Sequence, residues 1–177
     1  MMGRTQVALA LFGCALLPLP AVGASAHEHG VARLDVVIDG ASLVISLESP
    51  LDNLLGFEHA PRNEKQRSAV KTMEVRLQTA DIFKPSAEAA CKPTAVNVEH
   101  PYKPMDSKPP AKDASAEAHS DVDVSWTYQC AWPSALQRIE VGLFTQFRWL
   151  KSLKVQLAGP RGQTATVLRP DKTTLVW

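Results

Sequence analysis

The sequence lacks the short motifs that mark the common catalytic sites. Its 177 residues contain no GxSxG nucleophile elbow, no HExxH zinc-protease motif, no P-loop, no GxGxxG dinucleotide motif and no CxxC pair. No apolar face carries a pair of carboxylates that could act as general acid and base. The sequence therefore predicts that the protein is not an enzyme.

The chain also has almost no excess of either charge. It contains 19 Lys and Arg residues and 18 Asp and Glu residues, which gives a formal net charge of +1. Nucleic acids and anionic membranes are bound through clusters of basic residues. We therefore expect the protein to bind neither of them through charge.

The first residues have the pattern of an export signal. Arg4 provides a positive start, residues 7–19 are almost wholly apolar, and residues 24–26 form a small-residue Ala-Ser-Ala cleavage site. The apolar stretch is interrupted by prolines and is shorter than the roughly 20 residues that a membrane-spanning helix needs. We expect residues 1–26 to be a secretory signal peptide and residues 27–177 to form a single exported domain.

The cysteines allow an alternative for this segment and predict a disulfide in the exported domain. A lipoprotein anchored through Cys14 is the alternative, but bulky Phe12 stands where such signals prefer small residues.

Cleavage after residue 26 would remove Arg4 and Cys14, leaving 18 basic and 18 acidic residues and two cysteines. In an exported chain, Cys91 and Cys130 are expected to form a disulfide. The competing interpretation, a pair of zinc thiolates, lacks CxxC spacing and would need distant partners.

Alternating apolar residues predict a β-hairpin near the start of the domain. These residues are Ala32, Leu34, Val36 and Ile38 in one strand and Leu43, Ile45 and Leu47 in the next. Asp39-Gly40 is a strong signal for a two-residue turn, which would place Val36 opposite Leu43 and Glu48 opposite Val31. Near the C-terminus, residues 160–162 predict a second hairpin with a three-residue loop.

One substantial helix and further short strands complete the expected fold. Asn63 and Gln66 form a predicted helix cap, and apolar residues follow at helical spacing through residue 80. Strands are expected over 94–98, 121–131, 139–143, 153–157, 165–167 and 173–177. Residues 99–120 contain four prolines and almost no large apolar residue, so we expect a flexible insertion. The sequence thus predicts an α+β fold, with an antiparallel sheet of about six or seven strands and one main helix.

The five histidines are the best functional lead, because none lies inside an apolar pattern. His27 and His29 are two residues apart, so an extended chain would place both imidazoles on one side, an arrangement that suits Zn²⁺. If cleavage follows residue 26, His29 is also the third residue of the exported chain. A free amine, two amide nitrogens and this imidazole could then hold Cu²⁺ or Ni²⁺ in a square plane.

Two more histidines lie beside acidic residues. His59 follows Glu58 in a linker between two helical segments, and His119 lies at the edge of the predicted insertion. His119 and Asp121 share one side of an extended chain, together with Glu117 and Asp123. Each histidine also has a simpler explanation as a solvated terminus, a helix linker or the solvent face of a strand. We favour such a structural explanation for the remaining histidine, His100, at a strand end.

Four segments carry a resemblance to a known protein family. They are HEHG at 27–30, ESPLDNLLGFEHAP at 48–61, HSDVDVSWTYQC at 119–130 and VGLFTQFRWLKSLKVQLAGPRGQ at 141–163. Together they resemble the ZrgA-type periplasmic zinc-uptake proteins over nearly the whole exported chain. The resemblance implies a periplasmic protein that binds zinc, assists zinc acquisition and has no catalytic activity.

The resemblance also implies a set of zinc ligands. His27 and His29 correspond to the N-terminal HxH of the family, His59 to the histidine of GFEHAP, and His119 with Asp121 to HSD. Such proteins often carry a histidine-rich tract in the central insertion, which this chain lacks. One or at most two ordered zinc sites are therefore expected.

We accordingly predict an exported protein that binds Zn²⁺ through imidazoles with help from carboxylates. It would pass the ion to a zinc ABC importer or to the solute-binding protein of that importer. Two alternatives stay open: a Cu²⁺ or Ni²⁺ site at the mature N-terminus, and an interaction module of the envelope that binds no metal.

Overall fold

The computed structural model of the chain describes residues 28–102 and 121–177. The predicted signal peptide, most of the predicted insertion, His27 and His119 lie outside these residues. The strands are β1 (Val31–Asp39), β2 (Ser42–Pro50), β3 (Phe83–Pro85), β4 (Cys91–Glu99), β5 (Asp121–Cys130), β6 (Arg138–Val141), β7 (Ser152–Gly159), β8 (Gly162–Leu168) and β9 (Thr174–Val176). The α-helices are α1 (Leu51–Leu55), α2 (Glu64–Leu77) and α3 (Leu143–Gln146).

These strands form two sheets. Six strands follow the order β4-β5-β2-β1-β7-β8, and three follow the order β3-β6-β9. The α+β class with one main helix is confirmed, but the larger sheet is mixed, because β1 and β7 pair in parallel. This corrects our expectation of an antiparallel sheet. More than 100 residues separate these two strands, so no hairpin turn sets their relative direction.

The first hairpin forms, in a register different from the predicted one. The turn is Gly40-Ala41, so Val36 lies opposite Ile45 and Arg33 opposite Glu48. Gly40 adopts a φ of +55° at the first central position, where one of the two common hairpin turns requires glycine. Because the shift is by two residues, the same side chains still face the core.

The second hairpin differs by one residue from the prediction. Gly159 pairs with Gly162, which leaves a two-residue turn at Pro160-Arg161. Gly162 has a φ of +107°, a conformation that side chains with a Cβ rarely adopt. Strand β8 lies at the sheet edge and is mostly exposed, so burial does not select its register.

The main helix follows the sequence prediction closely. The side chain of Asn63 accepts a hydrogen bond from the Gln66 amide at 2.9 Å, which confirms the predicted cap. Val70, Met73 and Leu77 are the buried residues of α2. Among the described residues, no helix is long and apolar enough to cross a membrane.

Trp126 lies where the two sheets and α2 meet. Its side chain is fully buried, and its indole N–H donates a hydrogen bond to the Leu77 carbonyl at 2.8 Å. Phe83 of the smaller sheet packs edge-on against it, with ring centres 4.9 Å apart. At one end of the larger sheet, Cys91 lies opposite Cys130, and the predicted disulfide joins them.

Candidate metal centre

Helix α1 brings two distant parts of the chain together. It begins after Pro50 at the end of β2 and ends at Gly56, which has a left-handed φ of +79°. A Cβ at this glycine would lie 2.7 Å from the indole nitrogen of Trp149, so the turn requires glycine for space as well as for conformation. Pro50 and Gly56 therefore set the two ends of this short helix, and its residues face the start of β1.

The buried amide of Asn53 holds α1 against the start of β1. Its Oδ1 accepts a hydrogen bond from the Gly30 amide at 2.5 Å, and its Nδ2 donates to the Val31 carbonyl at 2.8 Å and to Ser49 Oγ at 3.3 Å. The side chain is only 1% exposed, and it satisfies polar groups that would otherwise be buried unpaired. This network restrains the backbone beside His29, which precedes Gly30, and beside Asp52, which precedes Asn53.

His29, Asp52 and Glu58 form a cluster that we call the candidate zinc cluster. One ligand atom from each side chain lies within 4.8 Å of the other two. His29 Nδ1 contacts Asp52 Oδ2 directly, and the other oxygen of Asp52 is buried with no hydrogen-bond partner among the described residues. Imidazole nitrogen and carboxylate oxygen are both ordinary zinc ligands, so this donor set fits Zn²⁺.

The carboxylates change the proton affinity of the imidazole. The hydrogen bond from His29 to Asp52 raises the pKa of His29 above its usual value, and the charges of Asp52 and Glu58 act in the same direction. His29 itself is well exposed, with 77% of its side chain accessible, whereas Asp52 is 19% exposed. The imidazole is therefore accessible from solvent, whereas the Asp52 side chain is largely buried.

Tyr102 contacts the third member of the cluster. Its hydroxyl donates a hydrogen bond to the backbone carbonyl of Glu58. Burial raises the pKa of the Tyr102 phenol, and the negative charge of Glu58 raises it further. The carboxylate of Glu58 therefore lies close enough to Tyr102 for the two groups to interact.

The other predicted ligands lie elsewhere or outside the described residues. His59 is exposed, its Nδ1 lies 2.9 Å from the Ala60 carbonyl, and its ring stacks on Phe57 at 5.2 Å. Asp121 pairs with Pro50 at the start of β5. Within the described ranges the structure brings only His29, of the predicted ligands, into a cluster of three metal-binding side chains.

The sequence prediction did not include Asp52 and Glu58. Both lie in the segment SPLDNLLGFEHAP, in which the sequence predicts only the histidine, His59, as a ligand. Asp52 is in the first turn of α1, where an acidic residue is common simply because it complements the helix end. The proximity of each to His29 depends on the fold, and local sequence contains no signal for it.

Acidic residues also form a row on the outer face of the larger sheet. Glu48, Asp123 and Glu99 lie opposite one another on β2, β5 and β4. Partial burial raises the pKa of Asp123, and the charges of Glu48, Asp121 and Glu99 raise it further. Asp121 and Asp123 therefore lie on the same side of β5, as predicted.

Comparison with models of protein families shows to which family the chain belongs. A family model described as "ZrgA family zinc uptake protein" matches residues 26–177. The chain belongs to this family. The resemblance found in the sequence is thereby confirmed, and the role of the protein is related to zinc uptake. Members of the ZrgA family are described as zinc uptake proteins rather than as enzymes. No curated protein matches the chain significantly.

Proposed function

We propose that this ZrgA family member is a periplasmic protein that binds Zn²⁺ and passes it to a zinc importer. The observation that supports this most strongly is the candidate zinc cluster, where His29, Asp52 and Glu58 converge in a chain of a zinc-uptake family. The predicted signal peptide supports a periplasmic location. The ABC importer or its solute-binding protein would be the acceptor, and no catalytic step is involved.

The cluster has features that suit a site from which an ion is transferred. Its three protein ligands leave at least one position of a zinc tetrahedron for water or another donor. His27, two residues before His29, is one of the ligands that the sequence predicts. Because the His29 side chain is exposed, an acceptor protein could approach the ion from the same side.

The contacts of His29 favour zinc over square-planar copper or nickel. A square-planar site at the N-terminus would use the third-position imidazole together with the backbone nitrogens before it. Here His29 Nδ1 contacts Asp52, and Glu28 pairs with Lys154 at 2.9 Å. Both contacts hold the segment against the domain rather than leaving it free to wrap around an ion.

Calorimetry with Zn²⁺ on the chain from His27 onward tests the proposal. We expect His29→Ala, Asp52→Asn and Glu58→Gln each to weaken zinc binding at least about tenfold, since even the loss of a residue that only hydrogen-bonds to a metal ligand costs about that much. Glu64→Gln is the matched control, because this carboxylate is 80% exposed on α2. Unchanged zinc affinity in all three cluster variants would refute this site.

Further variants test the remaining predicted ligands, and measurements with copper and zinc test the two alternatives. His27→Ala, His59→Ala, His119→Ala and Asp121→Asn test the other predicted ligands one at a time. A visible copper band that disappears when residues are added before His27 would support the square-planar site. Absence of any heat with zinc would favour an envelope interaction module that binds no metal.

A further inference from the structure

The residues after β4 contact both the main helix and the candidate zinc cluster. His100 Nε2 lies 2.6 Å from Glu74 Oε1 on α2, and the His100 side chain is only 6% exposed. Two residues later, the Tyr102 hydroxyl donates to the Glu58 carbonyl. We call residues 100–102 the latch segment, because they connect α2 to the linker that carries Glu58.

The hydrogen bonds of His100 are consistent with a single form of the ring. The Tyr102 amide donates to His100 Nδ1 at 3.2 Å, so this nitrogen carries no proton. A proton on Nε2 can then be donated to Glu74. One tautomer thus satisfies both contacts, and the buried ring holds Tyr102 in a defined position.

Glu58 depends on such a contact because its own backbone is irregular. It lies between α1 and α2 in residues 57–62, which belong to no helix or strand. Asp52, by contrast, is held by α1, and His29 is held by the Asn53 network. The bond from Tyr102 to the Glu58 carbonyl therefore restrains the ligand whose position is otherwise least restricted.

We propose that Tyr102 is a positioning residue for the zinc site. Formation of its hydrogen bond to the Glu58 carbonyl, which we call docking of the latch segment, and the binding of zinc then stabilise each other. This inference rests on the proposed function. If docking holds Glu58 where it can bind the ion, then the bound ion must favour docking by the same factor. The proximity of the Glu58 charge to the Tyr102 phenol supports the geometry on which the coupling depends.

The two tyrosines of the chain provide a matched pair of variants. Tyr102→Phe removes the hydroxyl at Glu58, whereas Tyr128→Phe removes a hydroxyl that donates to the Ala80 carbonyl at 2.7 Å, away from the cluster. The net value of one such hydrogen bond corresponds to about a 2- to 10-fold change in an equilibrium constant. We expect Tyr102→Phe to weaken zinc binding by this factor, and Tyr128→Phe to leave zinc affinity unchanged.

Hydrogen exchange at the Tyr102 amide measures the reciprocal effect. Zinc saturation should slow exchange of this amide by a similar factor in the wild type, and by less in Tyr102→Phe. A role of Tyr102 in stability alone would not produce this dependence on zinc. Equal zinc affinities in the two tyrosine variants, or an exchange rate that zinc does not change, would overturn the coupling.

The proposed function and the coupling fail in different ways. If His29→Ala, Asp52→Asn and Glu58→Gln all bind zinc as tightly as the wild type, both the site and the coupling are refuted. If Glu58→Gln weakens binding while Tyr102→Phe does not, the site stands and only the coupling is refuted.

Discussion

At the residue scale, a proton and the zinc ion of the proposed site would compete for His29. Its Nδ1 contacts Asp52, and its ring contributes one of the three ligand atoms of the candidate zinc cluster. Protonated imidazole cannot bind a metal, so zinc affinity must fall once the pH drops below the pKa of His29. In the proposed site Asp52 would therefore have two opposing effects, because it would contribute a ligand oxygen and also favours the competing proton.

We predict that zinc binding weakens at a higher pH than an ordinary imidazole would require. Asp52 raises the pKa of His29 in the folded protein above the unfolded value of about 6.5. In the metal-free protein, the His29–Asp52 ion pair is therefore stabilising below about pH 6.5 and is lost as the pH rises through the folded pKa. Zinc affinity should change in the opposite direction, falling as the pH decreases through that same folded pKa.

NMR titration of His29, with zinc calorimetry between about pH 5 and pH 8, measures both effects. In Asp52→Asn the midpoint of the pH dependence should move to lower pH, even though binding at high pH is weaker. Glu64→Gln should leave the midpoint where it is. A wild-type His29 that titrates at or below about 6.5 would contradict this account.

At the element scale, the position of α1 relative to β1 depends on one buried amide. Asn53 of α1 bonds to Gly30 just before β1, to Val31 of β1 and to Ser49 of β2, so it joins three segments. The carbonyl of Gly30 in turn accepts hydrogen bonds from the Lys151 and Ser152 amides, at 2.7 and 2.9 Å. The backbone beside His29 is thus held from both sides.

We predict that Asn53→Ala destabilises the fold by about 2 kcal/mol, because it leaves buried backbone groups unpaired. It should also weaken zinc binding at least about tenfold, because His29 and Asp52 lose their fixed separation. Urea unfolding and calorimetry of the folded variant measure the two effects separately.

Ser86→Ala is the control for Asn53. Ser86 is 5% exposed, and its hydroxyl accepts hydrogen bonds from the Gln137 and Arg138 amides, both at 3.1 Å, in another part of the molecule. This variant should also be less stable, with zinc affinity unchanged. Equal losses of affinity in the two variants would mean that zinc binding simply follows global stability.

At the scale of the whole molecule, Trp126 connects the two sheets and the main helix. It fills the core, contacts Phe83 and donates to the Leu77 carbonyl. We predict that Trp126→Phe lowers the free energy of unfolding by about 1–3 kcal/mol, because it leaves the Leu77 carbonyl buried without its donor and reduces packing. Chemical denaturation measures this change.

Trp132→Phe is the surface control for Trp126, because Trp132 is 66% exposed. Its effect on stability should stay within about 0.5 kcal/mol. A similar small effect of Trp126→Phe would show that the indole contributes little to joining the layers.

Local patterns were sufficient to predict most elements of this fold, although not the short strand β3. The cap at Asn63, the buried face of α2 and the apolar face of the first hairpin depend on neighbours in sequence, and all are found in the structure. Hairpin registers were less predictable. The first could slip by two residues without moving a side chain off the core face, and the second lies at an exposed edge.

The sequence by itself determined the α+β class, the main helix, the disulfide and the family, because these follow from periodicity, cysteine number and shared motifs. Only the tertiary structure decided the parallel pairing of β1 with β7 and the convergence of Asp52 and Glu58 on His29. The physical reason is that these contacts join residues 23 or more positions apart in the sequence. Hydrogen bonds across such separations form only once the chain has folded, so no local pattern encodes them.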